Sequence, residues 1–199
     1  MISRFKTHSP TVSFMPPKTI VLVGLMGCGK TSVGKRLARR LELEFFDSDH
    51  EVELSAGCSI KDIFAIYGED HFREGEYRVI KRLLDEPPHI LATGGGSLMH
   101  EPTRELVLEK SITVWLKADL NTLISRVSRR SDRPLLENVQ DPKDALKELI
   151  DERYPIYEEA HVHVDTFDEP TNITVDRLIE KMGLYIRQHY PNYYVLKSI

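Results

Sequence analysis

Cysteine is scarce in this 199-residue chain: only Cys28 and Cys58 occur, too few for a disulfide framework, and that usage fits a reducing compartment. Long apolar runs are missing as well. The longest, such as Thr19 to Leu25, falls far short of the roughly 20 residues that span a bilayer, so no membrane segment is expected. Positive charge has no surplus, because the formal net charge is -4 with histidine neutral, and a phosphate backbone demands a basic field. Nucleic acid is therefore not an expected partner. Repeats, low-complexity tracts and the apolar segment of a secretory signal are lacking too.

What is present describes one globular domain: 41% hydrophobic and 29% charged residues, over a length that buries a substantial core without disulfides. The domain is expected over residues 18–189. Residues 1–17 hold Arg4, Lys6 and His8 and no acidic residue, a composition shared by organellar transit peptides and by plain polar leaders. The expectation taken is a disordered extension, with Met15 as an alternative start, ending at the stiff Pro16-Pro17 pair. The tail over 190–199 is aromatic without a trustworthy period, and is either loose or clamped on the body.

Short β-branched runs alternate with longer helical patterns, the signature of a parallel sheet covered on both faces. Strands are expected at Thr19 to Val23, Glu44 to Phe46, His89 to Ala92, Ser111 to Leu116 and His161 to Asp165. Helices are expected from about Lys30 to Leu41, with Val33, Leu37 and Leu41 on one face, from Glu69 to Leu84, from Asp119 to Arg129, and from near Thr171. Ser59 to Asp62 reads as a capping box ahead of Ile63, Phe64 and Ile66. The stretch from Arg130 to Asp141 has Arg, Asp, Pro and Asn without periodicity and reads as a mobile flap.

Gly24-Leu25-Met26-Gly27-Cys28-Gly29-Lys30-Thr31 matches G-x-x-x-x-G-K-[ST], with a strand before it and a helix after it. Glycines let successive amides turn inward around phosphate oxygens, and the helix N-terminus adds positive partial charge. Lys30 would span the β and γ phosphates, and the Thr31 hydroxyl would hold Mg²⁺. The plain alternative is a Gly-rich turn with an ordinary helix-start lysine. Cys28, close to Lys30 and a helix N-terminus, is either a favoured thiolate or a small residue chosen for fit.

Asp47 and Asp49 lie two apart at a strand end, where open α/β sheets bind ligands, and strand alternation would point both toward the phosphate turn. Carboxylates there suit Mg²⁺ and an incoming hydroxyl; the alternative is a helix N-cap, with Asp49 ahead of Glu51. Arginine matches a carboxylate with two planar prongs, so Arg73 and Arg153 flanking one pocket would imply an anionic substrate. Taken singly, Arg73 reads as a surface ion pair with Glu69, Asp70 or Glu76, and Arg153 as a helix-end cation.

An ordered set of motifs then narrows the reading: Gly24 to Thr31, Asp47-Ser48-Asp49, Phe72-Arg73, Gly94-Gly95-Gly96, Arg133-Pro134-Leu135-Leu136 and Arg153-Tyr154-Pro155-Ile156-Tyr157. In these the chain resembles the shikimate kinase family from about Lys18 to about Gln188. The resemblance implies a three-layer α/β/α P-loop kinase fold with a five-stranded parallel sheet, a helical substrate-binding region at about 48–84 and a lid at about 130–141. It implies a transferase using ATP and Mg²⁺ to make shikimate 3-phosphate on the route to chorismate and aromatic amino acids, in the cytoplasm and as a monomer.

Position by position, the resemblance makes Asp49 the base at the substrate hydroxyl and Asp47 the partner near Mg²⁺, with Thr31. Arg73 and Arg153 would grip the carboxylate, and Gly95 and Gly96 would donate backbone N–H groups to substrate hydroxyls. Gly27, Cys28, Gly29, Lys30, Thr31 and Ser32 would hold the phosphates. Arg133 would reach the phosphoryl group from the lid, and Arg126 would flank adenine, a place that Arg129 or Arg130 could also take. The competing readings are another hydroxy-acid kinase of this fold, gluconate kinase-like, and a non-catalytic nucleotide-binding module.

Overall fold

Ile20–Val23 (β2) is an unbroken β-branched and leucine run, and every one of its side chains is fully buried. Only a central strand covered on both faces tolerates that pattern. The computed structural model describes residues 13–128 and 142–195. Phe45–Asp47 (β3), Ile90–Ala92 (β4), Ile112–Ala118 (β5) and Val162–Thr166 (β6) join β2 in a five-stranded sheet of order β3-β4-β2-β5-β6. All four pairings are parallel, with Ile20 opposite both Ile90 and Ile112. Each Ile, Leu or Val buried in such a layer contributes roughly 1.5–3 kcal/mol relative to exposure. At the edge, β6 instead alternates buried and exposed residues.

Parallel strands need crossovers, and helices supply them. Lys30–Leu41 (α1) follows β2 and buries Val33, Gly34, Leu37 and Ala38, with Leu41 only partly buried. A Cβ on Gly34 would stand 2.5 Å from the Phe45 ring, so α1 lies directly on β3. Ser48–Ala56 (α2) and Ile60–Leu84 (α3) connect β3 to β4, and Glu101–Lys110 (α4) connects β4 to β5. Leu120–Ser128 (α5) and Pro142–Tyr157 (α6) lie between β5 and β6, and Thr171–His189 (α7) closes the body against α1 and β6.

Half of the expected capping box is present at the start of α3: the Ser59 hydroxyl accepts from the Asp62 N–H at 3.2 Å, but the Asp62 carboxylate accepts from the Ser59 hydroxyl, at 2.5 Å, rather than from its backbone N–H. The two helical segments read around it are one element broken at Gly68, whose φ of 80° and ψ of 177° leave the helix. A left-handed φ of this kind is cheap only for glycine.

Ser13–Phe14 (β1) pairs antiparallel with Tyr194–Val195 (β7), in the register Ser13 to Val195 and Phe14 to Tyr194. Of the two alternatives for the aromatic tail, the described part, through a 3-10 turn at Pro191–Tyr193, is a clamp. The two strands meet beside α7.

Candidate active site

The strand-to-helix turn after β2 is bent by Gly24, at φ 136°. A Cβ there would lie 2.7 Å from the Leu116 carbonyl and 3.0 Å from the Cys28 sulfur, so both conformation and space require glycine. The first helical hydrogen bond of α1 runs from the Val33 N–H to the Gly29 carbonyl at 2.9 Å. It leaves the N–H groups of Lys30, Thr31 and Ser32 at the helix mouth, where an anion is stabilised by donors and dipole together. Lys30 Nζ donates to the Gly24 carbonyl at 2.7 Å and the Leu25 carbonyl at 3.1 Å, so its ammonium is held over the loop. The Cys28 side chain packs inward, 1% exposed. That placement favours the reading of a small residue chosen for fit.

Asp47 ends β3 and is itself the N-cap of α2, accepting from the Asp49 N–H at 3.3 Å. Asp49 is thus in a helical first turn rather than on a continuing strand, and the two carboxylates converge through the cap instead of through strand alternation. The Thr31 hydroxyl donates to the Asp47 carboxylate at 2.9 Å, placing two hard oxygen donors side by side at the mouth of the phosphate loop. Such a pair fits Mg²⁺, which takes few protein oxygens and keeps water and phosphate as its other ligands. No cluster of three or more His, Cys, Asp or Glu suited to a metal occurs among the described residues.

Gly94 to Gly96 emerge from β4, and each uses its missing side chain differently. A Cβ on Gly94 would stand 2.6 Å from the Asp49 carboxylate, one on Gly95 3.3 Å from the Met26 N–H nitrogen, and one on Gly96 2.5 Å from the Arg73 guanidinium. The three glycines therefore fit between the Asp49 carboxylate, the phosphate loop and the Arg73 guanidinium. Ser48 accepts from the Gly94 N–H at 3.0 Å, and Ser97 donates to the Gly94 carbonyl at 3.0 Å.

Arg73 projects from α3 and donates to Glu69 at 3.1 Å and to Glu76 at 2.7 Å. The ion-pair alternative is therefore real, but it is no surface pair: Glu76 is fully buried and also accepts from the Ser97 hydroxyl. Burial, then Glu76 and Asp47, raise the Asp49 carboxyl to about 6, against the pull of Lys30 and Arg73.

Arg153, on α6, donates to the Gly95 carbonyl at 3.2 Å, and its buried Nε has no hydrogen-bond partner among the described residues, the Glu152 carboxylate standing 3.9 Å from it. Arg126, on α5, donates to the carbonyls of Cys28 at 2.8 Å, Gly27 at 3.4 Å and Phe167, and so braces the outer side of the phosphate loop. Arg133, with the lid at 130–141 and the alternatives Arg129 and Arg130, lies outside the described residues.

Ser48, Glu76, Ser97 and Tyr157, whose hydroxyl donates to the Gly95 carbonyl, belong to this site and were given no role from sequence, although Tyr157 ends one of the quoted motifs. Ser48 stood inside a motif as spacer, and Glu76 was visible only as an i+3 neighbour of Arg73. Nothing along the chain announces that Ser97, 21 residues on, meets Glu76.

Comparison with known proteins identifies the family. The family profile described as shikimate kinase matches residues 26–183. A shikimate kinase of Caulobacter vibrioides is 57% identical over 162 residues, covering 81% of this chain and 80% of its own. Among solved structures, shikimate kinase from Acinetobacter baumannii in complex with shikimate has a TM-score of 0.77 and 38% identity, over 87% of this chain and 95% of its own. A gluconokinase from Sinorhizobium meliloti, 21% identical with a TM-score of 0.59 over 87% of this chain and 98% of its own, shares the fold alone.

Proposed function

The chain belongs to the shikimate kinase family, and from that premise we propose how its residues divide the transfer of a phosphoryl group from ATP to the 3-hydroxyl of shikimate. The activity is ATP-dependent phosphorylation of shikimate, in aromatic amino acid biosynthesis, with Mg²⁺ as the metal. The observation that carries the division of labour is Asp49, a half-buried carboxyl lifted to about 6 between the lysine of the phosphate loop and the Arg73–Glu76 pair. A general base works best when its pKa lies near the working pH.

The amides of Gly27 to Ser32 cradle the phosphates, and Lys30 exchanges its two loop carbonyls for phosphate oxygens. Arg73 and Arg153 take the substrate carboxylate, and the N–H groups of Gly95 and Gly96 take its hydroxyls. An Asp49 carboxylate oxygen accepts the proton of the 3-hydroxyl as the 3-hydroxyl oxygen attacks the γ-phosphorus and the bond from that phosphorus to the departing ADP oxygen breaks. Thr31 and Asp47 would hold Mg²⁺, whose charge neutralises phosphate oxygens. Arg126 borders the nucleotide, and Arg133 approaches the moving phosphoryl group from the lid at 130–141. We assign the catalytic body to 18–189, with substrate-binding region 48–84, acting as a monomer in the cytoplasm.

The test is ADP release from MgATP in a panel of hydroxy acids that includes shikimate and gluconate. Shikimate alone is expected to stimulate release, and Arg133→Ala to slow turnover on the order of a thousandfold with ATP affinity kept. Folded, ATP-binding protein that ignores shikimate, or answers to gluconate, overturns the assignment.

A further inference from the structure

Two arginines share the task of holding the acid, yet they differ in what holds them beforehand. Arg73 is saturated with carboxylates, Glu69 at 3.1 Å and Glu76 at 2.7 Å. Arg153 is not. Its side chain is 16% exposed, and the carboxylate paired with it, that of exposed Glu152, stands 3.9 Å away. Its hydrogen bonds, to the Gly95 carbonyl and to the Tyr157 hydroxyl, are to neutral groups, and Nε has no hydrogen-bond partner among the described residues. A substrate carboxylate offers a charge-assisted, two-pronged partner, roughly twice as strong as a neutral one, and drawn to it Arg153 would turn from Gly95.

Such a turn would strand the Gly95 carbonyl. That group matters, because Gly95 is wedged against the phosphate loop, where a Cβ would approach the Met26 nitrogen to 3.3 Å. Among the described residues one other side-chain donor reaches the same carbonyl: the hydroxyl of Tyr157. Tyr157 is four residues beyond Arg153 on α6, so both stand on one face of the helix. Its ring is 1% exposed and packs on Trp115 and Tyr154, with centroids at 6.0 and 6.4 Å, which fixes where the hydroxyl points. Burial pushes its phenol well above the usual tyrosine range, so it remains a donor at any working pH.

We propose that Tyr157 is a positioning residue: it keeps the Gly95 carbonyl in place when Arg153 leaves that carbonyl for the carboxylate of the substrate. The inference rests on the reading that Arg153 binds that carboxylate. In the free protein Arg153 and Tyr157 share one acceptor. In the bound state Arg153 belongs to the substrate, and Tyr157 alone holds the loop between substrate and phosphates.

Tyr157→Phe tests this, because it keeps the ring and removes only the donor. Without ligand Arg153 still covers Gly95, so the unfolding midpoint and the affinity for MgATP should stay at wild-type values. On shikimate binding the carbonyl is left bare, and a buried acceptor without a donor weakens affinity by about tenfold. KM for shikimate should therefore rise about tenfold while KM for ATP does not move.

The same substitution in an Arg153→Ala background supplies the second arm. There no handover occurs, so Tyr157→Phe should change kcat/KM for shikimate by less than about twofold, a coupling expected of groups sharing one acceptor. A wild-type KM for shikimate in Tyr157→Phe overturns the proposal. So does an equal loss in shikimate affinity, ATP affinity and stability, which marks a packing residue, or an equal penalty in both backgrounds. Failure of the wild-type protein to phosphorylate shikimate would instead refute the assignment of function.

Discussion

Burial, the neighbouring carboxylates of Glu76 and Asp47, and the weaker pull of Lys30 and Arg73 leave the Asp49 carboxyl at about 6, against 3.8 for an ordinary aspartate. The folded state thus holds this proton more tightly than the unfolded state does. Ionising Asp49 costs stability progressively as pH rises from about 4 to about 6, and in full above that window. Asp49→Asn should therefore raise stability at pH 8 by on the order of 2 kcal/mol, or about 4–8 °C in Tm for a chain of this size. By pH 4 the gain should vanish. The same variant should lose most of its turnover and keep its ATP affinity, and wild-type kcat/KM for shikimate should fall as pH drops below about 6. Thermal melts at both pH values and steady-state kinetics check the three statements together. A less stable Asp49→Asn protein at pH 8 would mean that the carboxylate is a structural partner. At this scale the gathering of Asp49, Lys30, Arg73 and Arg153 around one loop was legible, since a phosphate loop restricts which side chains can serve chemistry beside it. Glu76 was not, because i,i+3 spacing from Arg73 is the same for a solvated pair and for one sealed by Ser97 from another loop.

Helix α3 shows how one element can carry both a hinge-like break and a rigid rod. Gly68 and Gly75 lie on it seven residues apart, and a Cβ at either would meet nothing within 4 Å. Their backbones differ: only Gly68 is left-handed, at φ 80°. Alanine at 68 should therefore destabilise by about 1–2 kcal/mol through strain, whereas alanine at 75 should stabilise by about 0.5–1 kcal/mol through helix propensity. Denaturant melts of the two variants give the answer, and two shifts of the same sign would contradict the described kink. The sequence pattern separated a capped segment from a later helix but not their near continuity, since both flanks of Gly68 are periodic and the break is a single residue. Strand ends moved by a residue or two for a related reason. β3 runs on to Asp47 because its pairing with β4 continues to Ala92, a partner that local composition does not reveal.

Across the whole molecule, the alternation of strand and helix made the parallel, doubly covered sheet legible. The order β3-β4-β2-β5-β6 was not, because spatial neighbours along the sheet are set by which helix covers which face. The terminal ribbon was invisible for a simpler reason: strands of two residues have no period to read. It lies outside the stretch matched by the family profile, residues 26–183, which holds every residue assigned to catalysis. The central claim is that this body places the 3-hydroxyl of shikimate between Asp49 and the phosphate loop. Phosphorus–proton correlation NMR of the product formed from MgATP and shikimate reads that placement directly. The account predicts one new phosphate resonance coupled to the proton on carbon 3, and none with Asp49→Asn at equal time. Phosphate on another oxygen, or an undiminished signal from Asp49→Asn, would contradict it.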